Sequence, residues 1–308
     1  MKEILSERAK EVFGSGCEVV SVERLLGGAQ KHVWLAVCAD GFKFAAYQWD
    51  SSKTYFGEDF SGPFCSSSAE LFELNNRQMT ESGVLTPKLY NMDRSRTLGD
   101  YELALVEYID GADMDHIMEK EPERLDRALG SLRESIERLH SMKSPRMGQL
   151  GRLMGPEADP VELELADMGC NARWLREKDP EYAPLYAKAL QRAEGLAEGL
   201  ARRGEYTFIH RELGPNHVIV DRDGRAYLID IEGAGYADAE EENSFLKFRF
   251  NGLLTGLSDN EDPARMSFYH TGHCFGNLRG AVELREKGYY DMDDVNGMIR
   301  FFHSQFEA

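Results

Sequence analysis

Residues 208–221 read Phe208-Ile-His-Arg-Glu-Leu-Gly-Pro-Asn-His-Val-Ile-Val-Asp221, and after the turn Arg222-Asp-Gly-Arg-Ala226 the chain continues Tyr227-Leu-Ile-Asp-Ile-Glu-Gly233. The runs 217–221 and 225–231 are short, rich in Val and Ile, and joined through Asp223-Gly224, which predicts a hairpin with a tight turn. Ahead of the hairpin lies a loop carrying His210, Glu212 and His217, and its return strand ends in Asp230 and Glu232. So many ionisable groups around one hairpin mark a functional cleft; the plainer alternative is a hairpin whose polar residues only cap and turn.

Working outward, the N-terminal third reads as a meander. Strands are expected at 19–26, 33–37 and 42–49, separated by Gly27-Gly28 and Asp40-Gly41. A Ser-, Gly- and aromatic-rich loop at 50–67 leads to a helix over 68–82 that stops at Gly83, ahead of Pro87, and a further strand at 103–109 is stopped by Asp110-Gly111. Beyond it the period changes. Leu125, Leu129, Leu132, Ile136 and Leu139 fall on one helical face, and Ala189, Ala193, Leu196, Ala197 and Leu200 predict a second helix over 183–202 despite Gly195 and Gly199. From about residue 240 the chain is helical with loops, and no repeat of fixed period interrupts it. Strands first and helices later mean an α+β chain with segregated lobes.

Composition narrows the partners. Fifty-four acidic against thirty-six basic residues give a net charge of −18, which disfavours nucleic acid and anionic membrane and suits either a cationic small molecule or simple solubility. The five cysteines, Cys17, Cys38, Cys65, Cys170 and Cys274, lie far apart in sequence, so neither a disulfide framework nor a CxxC metal site is indicated. A charged N-terminus and the lack of any bilayer-length apolar run lead us to expect a cytoplasmic protein.

The quoted segment resembles the catalytic loop and metal-binding segment of the aminoglycoside phosphotransferases, small-molecule kinases whose His-Gly-Asp-Leu-x-Pro-x-Asn loop precedes a hairpin ending in Ile-Asp-x-Glu. His210, Leu213, Pro215, Val218, Asp230 and Glu232 match in register. Leu26-Gly-Gly-Ala-Gln30 resembles the family's glycine turn over the phosphates, Gly83-Val-Leu-Thr-Pro87 the segment after its N-lobe helix, and Leu105-Val-Glu-Tyr-Ile-Asp-Gly111 its hinge. Leu139-His140 matches the end of its first long C-lobe helix, so the resemblance runs in order over about residues 18 to 250.

The resemblance implies a two-lobed, protein-kinase-like fold with a nucleotide cleft between an N-lobe (1–108, antiparallel sheet plus helix) and a larger, mainly helical C-lobe (109–308). It implies transfer of the γ-phosphate of ATP or GTP, with Mg²⁺ or Mn²⁺, to a hydroxyl of a small, cationic acceptor such as an aminoglycoside or related metabolite. Glu212 and His210 are then the catalytic pair, and Asp230, His217 and Glu232 the metal side. Gly27, Gly28, Tyr47, Glu107 and Ile109 line the nucleotide. A kinase-like binding or regulatory protein without turnover is the competing class.

Three positions depart from the family. Glu212 stands for its catalytic Asp, and the extra methylene moves the carboxylate by about 1 Å, yet it can still orient or deprotonate a hydroxyl. His217 stands for its metal-binding Asn, which favours Mn²⁺, or a single Mg²⁺ on Asp230, or no metal, since Mg²⁺ prefers oxygen. Tyr47 stands for the phosphate-binding Lys; Lys43 lies about 13 Å along the strand, so Lys31, Lys53 or an arginine must meet the phosphate charge, and Glu70 or Glu73 loses its usual partner.

Three other clusters invite a bland reading. His270-x-x-His273-Cys274 is expected to be a packed helix face rather than a metal site, and the acids of Asp291-Met-Asp-Asp-Val-Asn-Gly297 to be helix caps. Glu240-Glu-Glu242 with Asp238 is expected to be a solvated helix start, with an amine-binding acceptor wall as the alternative.

Overall fold

The computed structural model describes residues 1–25, 31–50, 64, 65, 67–257, 261–289 and 291–307. Among these the chain forms two compact units, one comprising 1–139, 149–151 and 212–234, the other 140–148, 152–211 and 235–308. The grouping follows packing, so the residue 212–234 hairpin is counted with the N-terminal sheet despite lying late in the sequence.

In the first unit, helix α1 (Lys2–Phe13) precedes strands β1 (Val19–Leu25), β2 (His32–Cys38) and β3 (Lys43–Trp49), then helix α2 (Ala69–Glu81), β4 (Leu89–Asp93) and β5 (Glu102–Glu107). The strands make one antiparallel sheet in the order β1-β2-β3-β5-β4. Leu5 and Ala9 of α1 pack on one face with Val19, Ala36, Phe44, Ala46, Leu103 and Leu105, which explains a helix that charge alone had hidden. Here Cys17 and Cys38, 21 residues apart, bring their sulfurs to 2.7 Å, a meeting that sequence spacing did not announce. Burial and the neighbouring thiol push the Cys38 thiol up to about 12.

Ser68 caps α2 by accepting from the Leu71 amide, and the helix buries Leu71, Phe72, Asn75 and Met79. The expected hairpin forms as Val218–Asp221 paired with Ala226–Leu228, and Gly111–Asp113 adds a third strand on its other side. Gly111 has to be glycine, because a Cβ there would lie 2.2 Å from the Val220 carbonyl oxygen.

The second unit is helical: Pro160–Lys178, Ala183–Ala197, Ala239–Arg249, Pro263–Glu286 and Met292–Glu307. Its core gathers Met168, Leu175, Tyr186, Phe268, Phe275 and Phe302. The helix begun at Ala183 ends at Ala197, short of the expected 202, because Gly199 follows and gives no support to another turn. Strands Tyr206–Ile209 and Gly235–Ala237 pair antiparallel and frame the two ends of the decisive segment. None of the helices described is long and apolar enough to cross a membrane.

Candidate active site

In the first unit the alternation of β3 sends Tyr47 and Trp49 to one face, where both meet Phe72 of α2 at 5.4 Å between ring centres. Lys31 stands one residue before β2, and the β2–β3 register, which pairs His32 with Gln48, sets it beside Trp49. Its ammonium lies 5.2 Å over the Tyr47 ring. From there Nζ donates to Asp230 Oδ1 at 2.5 Å and to Glu232 Oε1 at 2.6 Å, and Trp49 Nε1 donates to the same Glu232 oxygen at 3.1 Å.

Lys31 and Glu232 are buried, with side chains 7% and 1% exposed, whereas the Asp230 side chain is 37% exposed. Burial works against the lysine's charge, but the Asp230 and Glu232 carboxylates more than reverse it, and the ammonium is held above the ordinary lysine range. Burial pushes the Glu232 carboxyl up against the pull of Lys31. Glu232 was expected on a metal; its Oε1 instead serves Lys31 and Trp49, and its Oε2 is buried with no hydrogen-bond partner among the described residues.

Asp230 is a left-handed residue, φ 60° and ψ 45°, a conformation that costs an L-residue on the order of 1 kcal/mol or more. Side-chain amides hold the backbone that follows it. Asn75 Nδ2 of α2 donates to the Ile231 carbonyl at 2.7 Å, and Gln149 Nε2 donates to the Glu232 carbonyl at 3.0 Å. On the other side of Asp230, the Ile229 amide donates to the His217 carbonyl at 3.0 Å.

His217 links the two halves of the decisive segment. Its Nδ1 bonds the Glu212 carbonyl oxygen at 2.6 Å, and its Nε2 lies 3.3 Å from Asp230 Oδ2. A carbonyl only accepts, so Nδ1 carries the hydrogen and a neutral ring turns the Nε2 lone pair toward the carboxylate. Two lone pairs so placed ask for a cation or a proton. The Glu212 side chain itself is partly exposed.

The other expected nucleotide residues fall as follows. Tyr47 is buried under Lys31, Glu107 exchanges backbone and side-chain hydrogen bonds with Lys88, and Ile109 is buried just past β5. Gly27, Gly28 and Lys53 lie outside the described residues. Lys43 is drawn away, its ammonium 5.4 Å over the Tyr108 ring. Glu70 and Glu73 find Arg94, at 3.5 and 3.8 Å, in place of a β3 lysine.

In the second unit His210 is fully buried, and its backbone amide donates to Glu242 Oε1 at 2.6 Å. The other oxygen of Glu242 meets His140 Nε2 at 2.7 Å. The acids 238–242 are therefore not a solvated helix start. All four are at least 96% buried, and each is partnered: Asp238 by Arg265 and, at 3.9 Å, Arg203; Glu240 by Arg203; Glu241 by Arg211 at 2.7 Å; Glu242 by His140. Burial would raise Glu242, but His140 holds it below the ordinary carboxylate range.

Sequence reasoning missed Arg211. It stands where the resembled loop has glycine, and its φ of 75° is the reason glycine suits that place; the ion pair with Glu241 anchors it. Reading the second residue of His-Arg-Glu against His-Gly-Asp would have found it. His273 bonds the Glu241 carbonyl and packs on Phe245, and among the described residues no group of three or more His, Cys, Asp or Glu is placed to hold a metal. Asp291 caps its helix through the Asp294 amide. A cavity of about 650 Å³ in this unit is lined by Lys247, Phe248, Glu261, Met266, His270 and Phe301 among others.

Comparison with known proteins bears on both units. The profile of the phosphotransferase enzyme family matches residues 69–250, more than half of the chain. No curated protein matches the chain closely enough in sequence to be counted. Solved structures do: aminoglycoside phosphotransferase APH(4)-Ia is similar with a TM-score of 0.67 at 14% identity, over 99% of this chain and 98% of that one. A thermostable mutant of that enzyme in ternary complex with ADP and hygromycin B gives 0.66 at 13% identity, over 97% and 98%. The choline kinase LicA from Streptococcus pneumoniae gives 0.64 at 16% identity, over 100% and 99%. At such identities these likenesses establish the kinase-like α+β fold.

Proposed function

Because the chain belongs to the phosphotransferase enzyme family, we propose that it moves the γ-phosphate of ATP or GTP to a hydroxyl of a small, cationic molecule. One observation carries this reading: His217 joins the carbonyl of Glu212 to the carboxylate of Asp230, so the loop and the return strand act on one locus. Solved relatives hold ADP with hygromycin B, or AMP, which supports a nucleotide and a small acceptor as ligands here.

In this reading Glu212 orients or deprotonates the acceptor hydroxyl, and the buried His210 fixes the loop. Gly27 and Gly28 are assigned to the phosphates and Tyr47, Glu107 and Ile109 to the nucleotide, with residues 1–108 as the N-lobe and 109–308 as the C-lobe. Asp230 Oδ2 and His217 Nε2 fit a divalent cation as a mixed oxygen and nitrogen pair, which suits Mn²⁺ at least as well as Mg²⁺. When bound, such a cation would neutralise charge on the transferring phosphoryl group. Glu232 Oε1 is committed to Lys31, which leaves Oε2 as the oxygen it would offer the cation.

The acids 240–242, paired as they are, do not supply the acceptor wall. The 650 Å³ cavity has the size of a small-ligand site, and Glu261 and Phe248 in its lining are groups that suit a cation. A net charge of −18 agrees with a cationic acceptor and with a cytoplasmic, non-nucleic-acid setting. A binding protein without turnover is the second reading, favoured by the lysine already seated on Asp230.

The test is turnover. Purified protein with ATP or GTP and Mg²⁺ or Mn²⁺ should phosphorylate a member of a panel of amino-alcohols and aminoglycosides. Nucleotide-dependent thermal stabilisation without any phosphorylated product would favour the second reading, and no stabilisation by any nucleotide would remove both.

A further inference from the structure

The cation expected on β3 is missing from its strand, yet a cation stands in its place. Tyr47 occupies the strand position, and the Lys31 ammonium lies over that ring, delivered from the residue before β2. The polar pair that a β3 lysine would make with α2 is likewise replaced: α2 offers Phe72 to Tyr47 and Trp49, and its acids Glu70 and Glu73 pair with Arg94. An aromatic shelf has taken over the packing, while the charge has moved to the neighbouring strand.

We propose that Lys31 is the phosphate-binding lysine of this protein, entering from the start of β2 and contacting the nucleotide's polyphosphate beside Asp230. This deepens the phosphotransferase reading and rests on it. Three features of the geometry support it. Lys31 Nζ is 2.5 Å from the more exposed of its two carboxylates, so it stands at the same locus as the residues assigned to phosphoryl transfer. An ammonium has three donors, and the carboxylates of Asp230 and Glu232 take two of them. Glu232, itself held by the Trp49 indole, fixes it from the buried side, so the charge is preorganised and loses little side-chain entropy when an anion arrives. Of the other lysines weighed for this duty, Lys43 is held over Tyr108.

The experiment is calorimetric titration of the full chain with AMP-PNP and, separately, with adenosine, in the presence of Mg²⁺ or Mn²⁺. Lys31→Met should weaken AMP-PNP by about 10- to 100-fold, the value of a charge-assisted contact, while adenosine affinity stays within about twofold. Adding Tyr47→Lys to Lys31→Met should recover most of the loss, because a lysine at 47 starts from the ring that the Lys31 ammonium now covers. Should Lys31→Met fail to fold with Glu232 unpaired, the Lys31→Met, Glu232→Gln double variant removes both charges and is titrated in the same way. AMP-PNP affinity unchanged in whichever variant folds, or adenosine affinity falling in parallel, would overturn the assignment and leave the phosphotransferase reading standing. Absence of AMP-PNP binding by the unaltered protein would overturn both.

Discussion

Two groups of acids in this molecule meet their partners in opposite ways. Asp238, Glu240, Glu241 and Glu242 are matched by several partners, Arg265, Arg203, Arg211 and His140, with Arg203 reaching both Asp238 and Glu240. Asp230 and Glu232 share a single lysine, with His217 at the edge, and Asp230 stays open to solvent. Partners on every carboxylate build scaffold, although burial still pushes the Asp238 and Glu241 carboxyls up. A shared cation leaves negative charge in reserve, and that reserve is what a metal ion needs.

Substitutions can break or sharpen this contrast. The largest effect is expected on activity around Asp230: Glu212→Gln, in the loop that His217 ties to that carboxylate, should lower kcat by ~10²–10⁴-fold with AMP-PNP affinity unchanged in titration. Asp230→Asn should cost ~10²–10³-fold in kcat while leaving the denaturant midpoint nearly unaltered, because Lys31 keeps Glu232. A large loss of stability in Asp230→Asn would erase the distinction between the two groups.

Among the acids 238–242 the effect should fall on stability. Glu242→Gln strips His140 of its partner and should cost about 3 kcal/mol in urea unfolding at neutral pH. Glu242 is depressed in the folded state, so its contribution is present above the ordinary value of 4.5 and fades as pH falls through the folded value. The deficit of the variant should shrink in the same acid window.

The smallest effect has the opposite sign. Burial, with Glu241 and Asp167 nearby, pushes the Glu164 carboxyl up to about 8. The folded state then holds a proton that the unfolded chain has lost, so stability falls as pH rises from 4.5 toward 8. Glu164→Gln should flatten that slope and gain roughly 1–2 kcal/mol above pH 8, less than the ~1.4 per pKa unit of a fully enclosed group because the side chain is partly open. Equal thermal midpoints for variant and parent across this range would contradict it.

The contrast also explains what could be read from sequence. The β1–β3 meander, α2 and the 218–228 hairpin were legible because glycine turns punctuate strands and the alternation is local. Helix Pro160–Lys178 was legible as well but went unread: Val161, Leu165, Met168, Ala172 and Leu175 recur at helical spacing on one face. The quartet 238–242 was misread because a run of acids looks solvated, and its cations lie 27 to 102 residues away in the chain. Lys31 was one cation among several until folding set it on Asp230, a choice made by tertiary register rather than by any motif.

Trp49 is one of three tryptophans, and its indole N–H ends on the carboxylate that also seats Lys31. Its emission therefore responds to the local electric field at that carboxylate, making the protein its own unlabelled optical sensor. Any event that lifts the ammonium from Glu232 should register as a spectral shift, readable in a stopped-flow cuvette.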